Sequence, residues 1–186
     1  MSESQRRAEW TSAATDYALE HGLIGLSLRP LAAELGTSDR MLLYHFGSKD
    51  ELVAAILRHS NDRSSAHVDA MPPSKDLHAA VLDLWATVHT GTVGQCSRLY
   101  LEAAALGLLG REPYASVVRE ANDRWTAALV RHLVRSGVAR AFARRAVMII
   151  DAAFMGFELD LPLDDDPKTR RRAVTDLADA MVALSG

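Results

Sequence analysis

The sequence lacks disulfide-forming cysteines, an excess of positive charge and any long uninterrupted apolar run. Its 186 residues contain one cysteine, Cys96, which excludes an intrachain disulfide framework and a four-cysteine zinc site. Such a chain is typical of a reducing compartment, and we expect a cytoplasmic protein. The polar amino terminus lacks the apolar core of a signal peptide, and Glu102, Asp151 and Glu158 interrupt the longest apolar tracts. We therefore expect no membrane partner.

The charge balance excludes nucleic-acid binding through bulk charge alone. Lysine and arginine total 21 against 24 acidic residues, a formal net charge of -3. Any DNA binding must therefore come from a local arrangement of side chains and helix ends.

Apolar residues are abundant and recur at helical spacing. Hydrophobic residues make up 48% of the chain, enough for a packed core. No alternating run is long enough to predict a sheet, so the fold class is predicted to be all-α. The sequence Met71-Pro72-Pro73-Ser74 should end a helix and form a linker. We expect two domains, residues 1–67 and residues 68–186.

The first domain should contain two short helices joined by a glycine turn. Helices are predicted over 4–21, over 27 to 34 or 35, from 37 or 38 to 45, and over 49–67, with Gly22 and Gly36 at the breaks. Ser27, Ser38 and Ser48 are suited to begin the second, third and fourth helices. Two short helices with this turn form the helix-turn-helix pattern, although any helical hairpin with a turn glycine looks similar.

The stretch from Leu26 to Leu57, LSLRPLAAELGTSDRMLLYHFGSKDELVAAIL, resembles the DNA-binding domain of TetR-family transcriptional regulators. The likeness extends upstream to the paired Ala13-Ala14 and to Glu20-His21-Gly22. The resemblance implies a homodimeric regulator, usually a repressor, that a small-molecule effector releases from a palindromic double-stranded DNA operator. It also implies a helical effector-binding and dimerisation domain after the helix-turn-helix domain.

Nine residues are predicted to contact DNA. Free N–H groups at the helix starts can receive phosphate oxygens, and Lys49 adds a cation there. Tyr44 and His45 resemble the backbone-contacting positions of the family. Arg40 could read guanine and Met41 a thymine methyl group, whereas Asp39 could either accept from cytosine or simply stabilise the start of its helix. The full set is Ser27, Arg29, Ser38, Asp39, Arg40, Met41, Tyr44, His45 and Lys49.

The sequence departs from the family pattern next to these positions. Leu43 stands where the family commonly has tyrosine, and Asp39 and Arg40 replace small or basic residues. These differences leave the operator sequence open while preserving the mode of binding.

The second domain is expected to form helices over 76–90, 95–109, 113–136, 139–161 and 167–184. In the resembled family the last two helices pair with their copies in a four-helix bundle. Apolar stripes on these helices suit that role, and the alternative is that they fill the core of a single chain. The predicted dimerisation residues are Met148, Met155, Val174, Leu177 and Met181.

An effector pocket is expected among the helices that follow the linker. It should be mostly apolar with a few orienting polar groups, among which Cys96 is a further candidate. Glu102 and Asp151 are acids within apolar stretches, so each could form a buried salt bridge or recognise a cationic effector. The predicted ligand-binding residues are Trp85, His89, Tyr100, Glu102, Trp125, Met148 and Asp151.

Other functions have weaker support. Phosphate loops and nucleophile motifs are missing, so we expect no enzyme, no catalytic residue and no cofactor. His67, His78 and His89 recur at a fixed spacing, but Pro72 and Pro73 interrupt it, and no metal site is predicted. The main alternative is a DNA- or protein-binding helical protein of the same fold without a small-molecule effector. For a regulator, we expect ligand binding to shift a hinge around residues 64–74 and to change the separation of two recognition helices.

Overall fold

The predicted all-α fold is confirmed by a computed structural model that describes residues 2–160 and 166–186. Helices account for the regular secondary structure in these ranges. They are α1 Glu3–His21, α2 Leu28–Glu34, α3 Asp39–Phe46, α4 Lys49–Ala70, α5 Leu77–Val88, α6 Gly91–Leu108, α7 Tyr114–Arg135, α8 Arg140–Asp160 and α9 Pro167–Ser185. The break predicted between the last two helices falls largely on residues 161–165, outside the described residues.

Local signals fix most helix ends. The hydroxyl oxygen of Ser38 accepts a hydrogen bond from the Met41 N–H at 3.3 Å, and that of Ser48 accepts from the Glu51 N–H at 3.1 Å. Gly22 follows α1 with a φ of 80°. Ser27 begins α2 but makes no capping bond with its side chain. Helix α4 ends at Ala70, immediately before the Met71-Pro72-Pro73 sequence, as predicted.

The chain divides into two compact units whose boundaries differ from a single cut after residue 67. The first comprises Met1–Ser64 and Gln95–Asp123, and the second comprises Ser65–Gly94 and Arg124–Gly186. Residues of α6 and of early α7 therefore pack with the first three helices. Helix α4 contributes to both units, so the expected domain boundary stays a prediction.

Each unit has its own apolar core. In the first, Leu31, Leu42 and Phe46 are buried together with Leu99 and Val117 from later helices. In the second, α5, α7, α8 and α9 supply the core, which includes Leu84, Leu129, Ile150, Phe154 and Met181. No helix within the described ranges is long and apolar enough to cross a membrane.

Candidate functional site

Helices α2 and α3 pack against each other through a short turn. Gly36 has a φ of 64°, which favours glycine, and the Thr37 N–H donates to the Ala32 carbonyl at 2.9 Å. Leu31 and Ala32 of α2 and Leu42 of α3 are buried. These contacts build the helix-turn-helix geometry that the leucine spacing predicts.

The opposite face of α3 is open to solvent. Asp39, Arg40, Met41 and Leu43 are exposed. Tyr44, near the end of the helix, is 71% exposed. A short helix with one buried and one exposed face can place side chains in a DNA major groove.

The polar groups around α3 divide into occupied and available ones. The Asp39 carboxylate accepts from the N–H of Arg40 at 3.2 Å, which favours its role at the helix start. The side chains of Arg29 and Lys49 are exposed, and no described residue forms a hydrogen bond or ion pair with them. Ser27 is also exposed and has no capping bond. These three side chains are available for phosphate groups.

His45 does not belong to the exposed face, contrary to its expected role as a DNA contact. Its side chain is 6% exposed, and its ring lies edge-on to Trp10 at 4.8 Å between centroids. Its Nδ1 atom is 3.9 Å from a carboxylate oxygen of Glu3. The residue therefore packs α3 against α1. Tyr44, its neighbour, points to solvent because adjacent helical residues face different directions.

Glu102 has a structural role that sequence reasoning missed. One carboxylate oxygen, Oε2, accepts hydrogen bonds from the N–H groups of Leu23 at 2.7 Å and Ile24 at 2.8 Å. A Cβ atom at Gly22 would lie 3.0 Å from the other oxygen. The residue thus holds the turn after α1, and its expected contact with a ligand is replaced by this role. Tyr100, another predicted ligand residue, is also in the first unit.

The other five predicted ligand residues belong to the second unit, where four carry rings or a carboxylate near an aromatic cluster. Trp85 stacks on His89 at 4.5 Å and lies 5.1 Å from Phe154 and 5.6 Å from Phe157, measured between ring centroids. Phe154 and Phe157 were predicted only as an apolar stripe, because periodicity does not tell a core from a pocket wall.

Asp151 lies on the same helix as the two phenylalanines. Its Oδ1 atom accepts a hydrogen bond from the Trp125 indole N–H at 2.8 Å. Burial raises the pKa of the Asp151 carboxyl group above its usual value, and the Trp125 hydrogen bond opposes this shift. Met148, in contrast, is 74% exposed and stands away from the buried core.

The predicted dimerisation residues divide between the core and the surface. Val174 and Met181 are buried within the single chain, and Leu177 packs against the same core, so the apolar stripe of α9 is used internally. Their expected role at a dimer surface is wrong in this respect. Met148 is exposed and Met155 is half-buried. The sequence analysis missed other exposed apolar residues on the last two helices, namely Ile149, Leu159, Val182 and Leu184.

Comparison with known proteins agrees with this architecture. Residues 11–56 match the family model described as bacterial regulatory proteins, tetR family. The HTH-type transcriptional repressor Rv3405c of Mycobacterium tuberculosis is 36% identical over 76 residues, which cover 38% of this chain and 40% of that protein. The chain thus matches about two fifths of the length of this curated relative.

Solved structures extend the likeness to nearly the whole chain. A transcriptional regulator from Rhodococcus sp. Rha1 aligns with a TM-score of 0.72 at 21% identity, over 96% of this chain and 95% of that one, which shows a common fold. The multidrug binding protein EbrR, solved with proflavin, aligns with a TM-score of 0.67 at 25% identity, over 95% and 99% of the two chains. With its helix-turn-helix unit matched in sequence and its helical fold matched throughout, this chain belongs to the TetR family of bacterial regulatory proteins.

Proposed function

We propose that the protein is a sequence-specific DNA-binding transcriptional regulator that acts as a homodimer. The observation that carries this proposal is the open face of α3, where Arg40 and Tyr44 project from a helix anchored by the buried Leu42 and Phe46. The match of residues 11–56 to the TetR family model supports it.

Different residues on this surface would have different tasks. Arg40 reads guanine in the major groove, and Met41 contacts a thymine methyl group. Ser27, Arg29, Ser38, Tyr44 and Lys49 contact the DNA backbone and set the register of the protein on the duplex. Asp39 stabilises the start of α3, and His45 holds α3 against Trp10.

We further propose that the protein is a repressor released from a palindromic operator by a small molecule. The name of the mycobacterial relative supports the repressor role, and EbrR, solved with proflavin, supports the effector. The hinge would lie around residues 64–74. Within the second unit, Arg131 bonds the Asp69 carboxylate at 2.9 and 2.7 Å, and Arg135 donates to the Val68 carbonyl at 3.1 Å. A shift of α7 would therefore be passed to the end of α4.

The homodimer would use the exposed side of α8 rather than the predicted stripe of α9. Met148, Ile149, Ala152 and Leu159 are exposed at intervals typical of one helical face. Such an apolar stripe is characteristic of a protein interface. A second copy of this chain is its proposed partner, with Val182 and Leu184 of α9 alongside.

Selection of bound duplexes from a random DNA pool tests the proposed function. Purified protein at physiological salt should enrich a palindrome whose half-sites are spaced by about one helical turn or a multiple of it. Arg40→Ala should change the motif. Recovery of no motif would contradict sequence-specific regulation and favour a role of this fold in binding other partners.

A further inference from the structure

The second unit contains a half-buried carboxylate that the protein itself neutralises poorly. Across residues 2–160 and 166–186, the Trp125 indole is the one hydrogen-bond donor to Asp151, and no lysine, arginine or histidine nitrogen lies within salt-bridge distance of it. An ionised carboxylate away from bulk water is costly unless a cation or several donors compensate it. Asp151 is only partly buried, so a small molecule can reach it.

Aromatic rings lie within one or two helical turns of this carboxylate. Phe154 and Phe157 follow Asp151 on α8, and both contact Trp85 of α5. Residues three apart on a helix are neighbours on its surface, so Asp151 and Phe154 share one side of α8. Trp125 reaches the same carboxylate from α7.

We propose that Asp151, Trp125, Trp85, Phe154 and Phe157 form a binding site for a monovalent organic cation. This inference rests on the proposed function, because it names the chemical class of the effector. A quaternary or aromatic ammonium group supplies the missing positive charge and is attracted by the faces of tryptophan and phenylalanine rings. An anion would be repelled by the carboxylate, and a neutral apolar molecule would leave it uncompensated.

A pair of probes of equal shape separates charge recognition from simple apolar burial. Phenyltrimethylammonium and tert-butylbenzene differ in charge but hardly in size, and isothermal calorimetry can measure the binding of each. The wild-type chain should bind the cation at least about tenfold more tightly than the hydrocarbon. Asp151→Asn keeps an oxygen that can accept from the Trp125 indole, so it should retain hydrocarbon binding and lose the preference for the cation.

Asp160→Asn is the matched control, because Asp160 is an exposed carboxylate on the same helix. It should leave both affinities unchanged. Equal affinity of the wild-type chain for both probes, or no binding of the cation, would overturn the proposal. An unchanged cation preference in a folded Asp151→Asn variant would overturn it as well. If that variant fails to fold, the preference of the wild-type chain decides the question.

The DNA selection described above keeps the two proposals distinguishable. Enrichment of a palindrome without cation binding would leave the regulator intact and reject this site. Cation binding that depends on Asp151, without any enriched DNA motif, would support the site and contradict the regulatory function.

Discussion

Arg40 and Lys49 carry the same charge but lie at different places in the first unit. Arg40 is in the first turn of α3 on its exposed face, whereas Lys49 begins α4 beside the Ser48 cap. A guanidinium in a major groove can make two hydrogen bonds to one guanine, and an ammonium near a helix start meets a phosphate as a point charge. The positions of the two residues therefore predict different effects of their removal.

Arg40→Ala should relax specificity at one operator position by about 1 to 3 kcal/mol. Lys49→Ala should weaken binding to all sequences similarly and reduce the slope of log affinity against log salt by about 1. Fluorescence anisotropy with operator and single-position variants, over a range of salt concentrations, measures both effects. Lys75→Ala removes an exposed charge outside the helix-turn-helix and serves as the control. Identical behaviour of the Arg40 and Lys49 variants would refute this division of roles.

His132 is a titratable residue in the core of the second unit. Its side chain is buried, its Nδ1 atom has no hydrogen-bond partner, and Nε2 is 3.4 Å from the Ser74 hydroxyl oxygen. That hydroxyl donates to Asp83 at 2.6 Å, so it can accept a proton only from His132. Burial lowers the pKa of His132, the Arg135 charge lowers it further, and Asp83 opposes both effects.

The wild-type chain should lose stability as the pH falls below about 6.5, the usual histidine pKa. The unfolded chain binds a proton at His132 before the folded chain does, so the unfolding free energy decreases by at most about 1.4 kcal/mol per pH unit from this group. Urea unfolding between pH 7.5 and 5 measures the slope. His132→Gln should flatten it, whereas His67→Gln, at an exposed histidine, should leave it unchanged. Equal slopes in all three proteins would exclude His132 as the cause.

At the scale of helices, α6 determines the shape of the turn between α1 and α2. The Glu102 carboxylate binds two N–H groups of that turn, 79 and 78 residues away in sequence. Gly22, at a φ of 80° and a ψ of 173°, has a conformation almost restricted to glycine. Charged acceptors form strong hydrogen bonds, so this contact stabilises the first unit.

Glu102→Ala should destabilise the chain by about 1 to 3 kcal/mol, because the buried N–H of Leu23 loses its acceptor. Glu102→Gln retains an oxygen at this place and should cost less. Chemical unfolding followed by circular dichroism gives both values, with Glu9→Ala on the exposed side of α1 as the control. A Glu102→Ala variant as stable as the control would show that the contact contributes nothing.

Gly22→Ala tests the same turn from its other side. The new Cβ atom would lie 3.0 Å from Glu102 Oε1 and would require a strained backbone. The expected loss is about 1 to 3 kcal/mol in the free energy of unfolding. Gly156→Ala, on α8 where a Cβ meets no atom within 4 Å, is the matched control and should stabilise its helix slightly.

At the scale of the whole molecule, each compact unit encloses its own core while α8 leaves an apolar stripe uncovered. Val174 and Met181 are among the buried core residues, and Met148 and Leu159 are among the most exposed large apolar side chains. Apolar side chains at these exposed positions favour association because association removes them from water.

The double variant Met148→Lys, Leu159→Lys should shift the protein from dimer to monomer, with dimer dissociation increased by at least about tenfold. Sedimentation equilibrium measures the dissociation constant. Leu108→Lys, at a 90% exposed leucine of α6, is the control and should remain dimeric. Met181→Ala should instead reduce stability by about 2 to 5 kcal/mol, because it leaves a cavity in the core. A dimer unaffected by the double variant would contradict the proposed interface.

The sequence by itself determined the helices and the helix-turn-helix unit of this protein. Serines 38 and 48, Gly22 and the paired prolines act through bonds to residues three or four positions away, so their effects can be predicted without the rest of the chain. The buried faces of α2 and α3 likewise follow from helical spacing.

Only the tertiary structure decided which way several functional candidates face. His45 turns inward because Trp10 of α1 lies beside it, and Glu102 binds the turn after α1 instead of a ligand. The stripe of α9 is buried against core residues from other helices, whereas Met148 remains outside. Apolar periodicity predicts that a face will be buried, but its partner is chosen by packing between residues distant in sequence.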